Sequence, residues 1–218
     1  MGNVTLNGST SGQITLAPTA VAGTNTLTLP AVTGTVLASS SGTITVPSGS
    51  GTAAVQGLST NIVSGTSQAS TSGTSITFTS IPSWVRRITI MLQSVQTSGT
   101  SNKLFQLGTS GGFVTTGYLC TSSQNISGSS TVTQFTNGWP IASTASADVI
   151  HGQIILSNLN GNTWVGSGSF PLSSGGSFFF NAGSISAASL GGVLTQVRLT
   201  TVNGTDTFTA GNVNILYE

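Results

Sequence analysis

The chain has 218 residues, of which only 3% are Asp, Glu, Lys or Arg, against roughly 25% in ordinary globular proteins. The formal net charge is +1, so no long-range field attracts nucleic acid or an acidic membrane surface. A hydrophobic fraction of 37% is too low for a membrane protein and too high for a disordered chain.

The first fifty residues repeat a short apolar strand followed by a Gly/Ser/Thr turn, with a period of roughly ten to fifteen residues. The repeated stretches are QITLAP at 13–18, NTLTLP at 25–30, GTVLAS at 34–39 and GTITVP at 42–47. Strands this short cannot bury an apolar face alone, so they need a neighbouring domain or the same segment of another chain. We predict that residues 1–50 form an extended β-repeat arm that anchors the protein or intertwines with its copies.

The composition changes twice after the arm. Residues 51–75 are rich in Gly, Ser, Thr, Ala and Gln, which predicts a linker with room for one strand. Strand-like stretches then follow at 75–80, 85–92, 103–109, 117–122, 133–141, 147–158, 162–170, 177–184, 194–202, 206–211 and 212–218.

The pattern within these stretches is that of half-buried strands. Ile88, Ile90 and Leu92 alternate with Arg87 and Thr89, and no segment has the period of 3.6 that marks a helix. Many short strands separated by Gly-rich turns are typical of a sandwich or jelly roll. We therefore predict an all-β protein in which the arm is followed by a jelly-roll-like β-sandwich knob at 76–218.

Two stretches resemble tailed-phage virion proteins. The segment NGSTSGQITLAPTAVAGTNTLTLPAVTGTVLAS at 7–39 is similar to a repeat near the start of phage tail fibres and other virion appendages. The run IPSWVRRITIMLQSVQTSGTS…LFQLGTSGGFVTTGY at 81–118 resembles the compact β-sandwich knobs of fibres and capsid decoration proteins. The resemblance implies a non-enzymatic structural protein of the virion surface, a homotrimer whose other partners are capsid or tail proteins.

The location on the particle stays open between two alternatives. A length of 218 residues suits a capsid-attached head fibre or a decoration (cement) protein. The alternative is a tail-fibre or receptor-binding protein whose knob recognises a host-surface glycan or protein. The first ten residues lack the basic start and apolar stretch of a signal peptide, so we expect synthesis and folding in the host cytoplasm.

The titratable residues predict no enzyme. His151 is the single histidine, and Asp148, three residues earlier, would lie on the opposite face of an extended strand. Cys120 is the single cysteine, so no intrachain disulfide or His/Cys metal site can form. We predict no catalytic residue, cofactor or metal site within one chain. A three-fold axis could still collect three copies of His151 or Asp148 around a metal or anion, and a subunit contact is the other expectation for His151.

Two clusters are candidates for an oligomer interface. Arg86 and Arg87 are adjacent, so on a strand one side chain points inward, where it is expected to be paired or at a subunit contact. Phe178, Phe179 and Phe180 are three consecutive aromatic residues. A sheet that faces water on one side cannot hide all three, so one of its faces is expected to contact a neighbouring subunit.

The tryptophans leave two interpretations open. Trp84, Trp139 and Trp164 could together form a flat platform for a sugar, because aromatic rings accept the apolar faces of saccharides. Tryptophan also fills the cores of large sandwiches, and we favour this second interpretation.

Overall fold

The computed structural model describes residues 4–7, 10–11, 13–16, 62–126, 128–173 and 177–218. The chain divides into two units, 1–54 and 55–218. In the first unit β1 (Val4–Asn7) and β2 (Gln13–Leu16) form an antiparallel pair, with Val4 opposite Leu16. The strand predicted at 13–18 is therefore present as β2, whereas those predicted at 25–30, 34–39 and 42–47 lie outside the described residues.

The second unit is built almost wholly of strands, joined by one short helix. Its elements are β3 (Val63–Ser64), β4 (Gln68–Ala69), β5 (Ser75–Phe78), β6 (Arg87–Thr97), β7 (Lys103–Thr109), β8 (Gly112–Phe113), β9 (Tyr118–Ile126), β10 (Ser129–Phe135), β11 (Trp139–Ile141), β12 (Ile150–Asn160), β13 (Thr163–Pro171), β14 (Phe178–Ile185), α1 (Ala187–Leu190), β15 (Gln196–Thr201) and β16 (Phe208–Tyr217).

These strands form two antiparallel sheets. The larger sheet has the order β10-β9-β14-β13-β12-β6-β16-β3, with β4 also paired to β16. The smaller sheet has the order β11-β7-β15-β5, with β8 paired to β7. The predicted all-β sandwich is confirmed. Part of the predicted linker, the described residues 62–75, contributes β3 and β4 to the edge of the larger sheet.

Apolar side chains from both sheets meet in one core. Phe105 of the smaller sheet stacks on Phe170 of the larger one, with ring centroids 5.7 Å apart. Trp139 meets Tyr118 edge to face at 5.2 Å. The buried hydroxyl of Tyr118 accepts from the Leu107 backbone N–H at 2.9 Å, so the aromatic core leaves this polar atom satisfied.

Two predicted strand boundaries are corrected. The stretch 133–141 is divided between β10 in the larger sheet and β11 in the smaller one, because the chain crosses between sheets at 136–138 to bring Trp139 into the core. The stretches 206–211 and 212–218 join as one strand, β16. That strand continues through Gly211, whose φ is +99°.

A β-bulge in β6 lies beside this glycine. Ser94 of β6 has φ +54°, and the register shifts beside it on both neighbouring strands. The neighbours carry glycine at this point, Gly152 on β12 with φ +115° and Gly211 on β16. A Cβ atom on Gly152 would overlap the carbonyl oxygen of Ser169. The bulge therefore depends on a position where only glycine fits.

We expect Gly152→Ala to lower the free energy of unfolding by ~2–4 kcal/mol, since the substitution adds both backbone strain and a clash. Gly161→Asn is the matched control. Gly161 also has a positive φ, +53°, but nothing lies within 4 Å of an added Cβ, and asparagine adopts this backbone region. Chemical denaturation monitored by circular dichroism measures both variants. Equal stability of the two would show that the close approach at Gly152 is unimportant.

Candidate functional site

One end of the larger sheet carries exposed apolar side chains on its outer face. Leu119, Val132, Phe178 and Phe180 are 66%, 66%, 47% and 52% exposed, and we call these four residues the outer patch. They lie on the consecutive strands β10, β9 and β14. Val132 and Phe180 both lie opposite Ser123, and Phe178 stacks on Phe180, whereas Leu119 lies four residues from Ser123 along β9. Scattered exposed apolar residues are ordinary, but a group such as Val132, Phe178 and Phe180 marks an interaction surface.

The two phenylalanines of the outer patch form a stacked pair. They are separated by one residue on β14, so both point away from the core, and their rings stack at 6.2 Å with an interplanar angle of 16°. The cross-strand neighbours of Phe180 are Ser123 and Ser169, which are too small to cover the ring. Phe180 lines an open groove of about 340 Å³, together with residues that include Gln153 and Ile155.

The outer patch adjoins a sheet edge. Strand β10 is the terminal strand of the larger sheet, and its residues are mostly exposed. Its sequence, SSTVTQF, contains neither a charged residue nor a proline, the usual devices that prevent an edge from pairing with another strand. Within the described part of the chain, only β9 pairs with it. The outer edge of β10 is therefore open to a further strand.

No charged side chain belongs to β9, β10 or β14. The charged residues of the chain are Arg86, Arg87, Lys103, Asp148, Arg198, Asp206 and Glu218. A second surface can thus approach the outer patch without desolvating or opposing a charge.

Only part of the predicted phenylalanine cluster is available to a partner. Phe178 and Phe180 lie in the outer patch, but Phe179 is fully buried in the core. The prediction that Phe179 contacts another subunit is therefore wrong, because strand alternation turns it inward.

The arginine prediction is corrected as well. Arg86 and Arg87 are both exposed, since β6 begins only at Arg87 and Arg86 lies before the regular strand. Arg87 Nη1 forms an ion pair with Glu218 Oε1 at 2.9 Å. Arg86 Nη1 donates to the backbone oxygen of Ser83 at 3.0 Å. Neither side chain lies on the strands of the outer patch, and neither points inward.

The three tryptophans do not form a common platform. Trp139 and Trp164 are buried in the core, and only Trp84 is exposed. The ring of Trp84 lies 6.0 Å from that of Tyr217, at a tilt of 51°. Two of the three candidates are therefore unavailable to a sugar because they fill the sandwich interior.

His151 and Asp148 have separate partners. His151 Nε2 lies 2.8 Å from Ser173 Oγ, and its Nδ1 accepts from the Ser94 backbone N–H at 3.4 Å. Asp148 accepts a hydrogen bond from Ser143 Oγ at 2.6 Å. Among the described residues, no group of three His, Cys, Asp or Glu side chains could hold a metal ion.

Sequence analysis missed a buried cation at the end of the core. Lys103 is fully buried, and its Nζ donates to both the backbone oxygen and Oγ of Ser143 at 3.2 Å. Burial lowers the pKa of Lys103, while Asp148 and Asp206 act in the opposite direction. The signal was present in KLFQLGT, where alternation puts Lys103 on the same face as Phe105 and Leu107.

The single cysteine is a core residue. Cys120 is buried, and burial raises the pKa of its thiol to about 12. The thiolate, which is the reactive form, is therefore disfavoured at neutral pH.

Comparisons with family models, with curated proteins and with solved structures found no match to this chain. The resemblance to phage virion proteins thus stays a prediction that depends on residues 7–39 and 81–118. In the described part of the chain, no helix has the length and apolar character needed to cross a membrane.

We expect Ser143→Ala to lower the free energy of unfolding by ~1–3 kcal/mol, because it removes a partner of a buried cation. Lys103→Met should cost less, since it removes the buried charge itself. The pKa of Lys103 is lowered from 10.5, so the unfolded chain holds the proton more readily. The free-energy penalty for burying the charged Lys103 is therefore full below its folded-state pKa and shrinks as the pH rises from there toward 10.5.

Denaturant unfolding of wild type and both variants, at neutral pH and again just below 10.5, tests this network. The stability of Lys103→Met relative to wild type should fall as the pH rises. A larger loss in Lys103→Met than in Ser143→Ala at neutral pH would contradict the prediction.

Proposed function

We propose that the chain is a structural protein of a tailed-phage virion surface, a trimeric capsid-attached fibre or decoration protein. The observation that carries the proposal is the outer patch beside the open edge of β10. This combination of exposed apolar side chains, an unprotected strand edge and no charge suits contact with another copy of the same chain. The proposed location on a phage particle is based on the resemblance of residues 7–39 and 81–118 to virion proteins.

Self-association through this surface would bury apolar side chains that are exposed in the single chain. Full burial of a Phe or Leu side chain stabilises by ~1.5–3 kcal/mol, and each copy contributes the same four patch residues. Placing identical charged surfaces together would cost repulsion or desolvation, but the strands of the outer patch carry no charge. Around a three-fold axis, the patch of one chain would pack against a neighbouring surface of the next and close a ring.

The first unit supports the same arrangement. The β1–β2 pair has only four residues in each strand, and Thr5 and Asn7 are exposed. In the described part of the chain no third strand pairs with β1 or β2, and a two-stranded hairpin alone is marginally stable in water. The arm is therefore proposed to gain its stability from the shell to which it attaches, or from the arms of the other two chains.

We expect the full-length wild type to have three times the mass of the 21.7 kDa chain in solution. The double substitution Phe178→Ser with Phe180→Ser should reduce this to the mass of one chain, because the apolar contact is lost. Light scattering coupled to size exclusion measures the mass. Leu159→Ser is the matched control, since Leu159 is 69% exposed but lies at the end of β12, away from the outer patch.

The melting temperature of each variant, measured at low concentration, separates dissociation from unfolding. A trimer that persists in the double variant would show that the outer patch is not required for trimer formation. A wild-type monomer or dimer would contradict the trimer itself.

We expect antibodies against the purified chain to label the heads of intact particles of the phage that encodes it, in immunogold electron microscopy. Labelling of the tail would favour the receptor-binding alternative. Mass spectrometry of purified particles is the independent control, and absence of the chain from them would contradict a virion role.

A further inference from the structure

A half-buried guanidinium lies on the outer face of the smaller sheet. In strand β15, Val197 and Leu199 are buried in the core, so Arg198 between them points outward. The side chain nevertheless remains partly covered, and burial lowers the pKa of Arg198. A cation in this position has lost part of its hydration, which is costly unless another group replaces it.

Two contacts hold the guanidinium in place. Its Nε donates to Gln106 Oε1 at 2.9 Å, and its Cζ lies 4.3 Å from the ring centroid of Phe113. Gln106 is fixed in turn, because its Nε2 donates to the backbone oxygen of Asn137 at 2.6 Å. The plane of the guanidinium is thus set by a hydrogen bond and an aromatic ring before any ligand arrives.

The carboxylates of the chain are engaged elsewhere. Glu218 pairs with Arg87, Asp148 accepts from Ser143, and Asp206 accepts from Asn203 and Ser101. Within the described residues, neither terminal nitrogen of Arg198 donates a hydrogen bond. The fork that suits a bidentate oxyanion is therefore free.

The guanidinium borders an open pocket of about 240 Å³. Its lining is mainly hydroxyl and amide side chains, and it includes Thr115, Asn137, Thr200 and Asn203. Such groups donate and accept hydrogen bonds without charge, which matches the hydroxyl groups of a saccharide. A pocket with one fixed cation among neutral polar groups favours a ligand with one acidic group among many hydroxyls.

We propose that Arg198 and this pocket bind an acidic saccharide, with the sugar carboxylate on the terminal nitrogens of Arg198 and the ring hydroxyls against Thr115 and Asn137. The site goes beyond the structural role proposed above and does not depend on it, because all its residues come from one chain. The sequence analysis left open that the knob recognises a host-surface glycan. The pocket specifies the chemistry of such a glycan, namely one with acidic sugars.

Glucuronate, glucose and inorganic phosphate are the probes, each titrated into the full-length protein in low-salt buffer and followed by amide chemical shifts in NMR. We expect glucuronate to bind at least tenfold more tightly than glucose or phosphate. Arg198→Gln should abolish the preference for glucuronate over glucose. Arg86→Gln is the matched control, because Arg86 is an exposed arginine that lies just before β6 and does not line the pocket, so the substitution should leave binding unchanged.

A second variant tests the site in case Arg198→Gln does not fold. Thr115 is exposed at the rim of the pocket, so Thr115→Phe should block the pocket and weaken glucuronate binding without touching the guanidinium. Circular dichroism melts and the solution mass of each variant are recorded on the same samples, so loss of this site and loss of the trimer are distinguishable.

Four outcomes would overturn the inference. They are no binding of glucuronate to the wild type, equal binding of glucose, glucuronate binding that survives Arg198→Gln, and phosphate binding as tight as that of glucuronate. The last would show a site for a bare anion in which the hydroxyl lining has no role.

Discussion

The burial of Trp139 between the two sheets is the contact on which the other features depend. To place this ring against Tyr118, the chain must leave the larger sheet after Phe135 and enter the smaller one within three residues. Because of this crossing, the next strand, β11, pairs with β7 in the smaller sheet and does not cover the outer edge of β10. The same crossing presents the backbone oxygen of Asn137 to Gln106, and Gln106 orients Arg198. One core packing requirement thus determines the surroundings of both candidate surfaces.

The scarcity of charge makes the placement of each ionisable side chain informative. Arg87 and Glu218 neutralise one another at the surface, and Lys103 is solvated by Ser143 inside the core. Arg198 instead contacts the neutral amide of Gln106 and the aromatic ring of Phe113. These contacts orient the guanidinium without neutralising its charge. In a protein with about 25% charged residues, one partly buried arginine without a carboxylate partner would be common. In this chain only 3% of residues are charged, so an arginine in that environment is informative.

Strand positions were predictable where polar and apolar residues alternate along the sequence of the strand itself. The stretch 103–109 coincides with β7, and the alternation of Ile88, Ile90 and Leu92 placed the buried face of β6 correctly. The sheet switch at 136–138 was not predictable, because it follows from the space that Trp139 finds in the core rather than from its neighbours in sequence. The prediction that Arg86 or Arg87 points inward was wrong. Side-chain alternation begins only where β6 begins, at Arg87, and Arg86 lies just before the strand. Arg198 could have been found, since the alternation of Val197 and Leu199 places it on the outer face.

The two candidate surfaces lie on opposite sides of the sandwich, and this separation has a consequence for the proposed assembly. The outer patch belongs to the outer face of the larger sheet, whereas Arg198 belongs to the outer face of the smaller sheet, with the common core between them. If three chains associate through the larger sheet, the smaller sheet of each copy stays turned away from the contact. Three saccharide pockets would then face outward together, so a weak affinity at each pocket would be strengthened by multivalency. In this arrangement, trimer formation presents the pockets to a repeated glycan instead of competing with them.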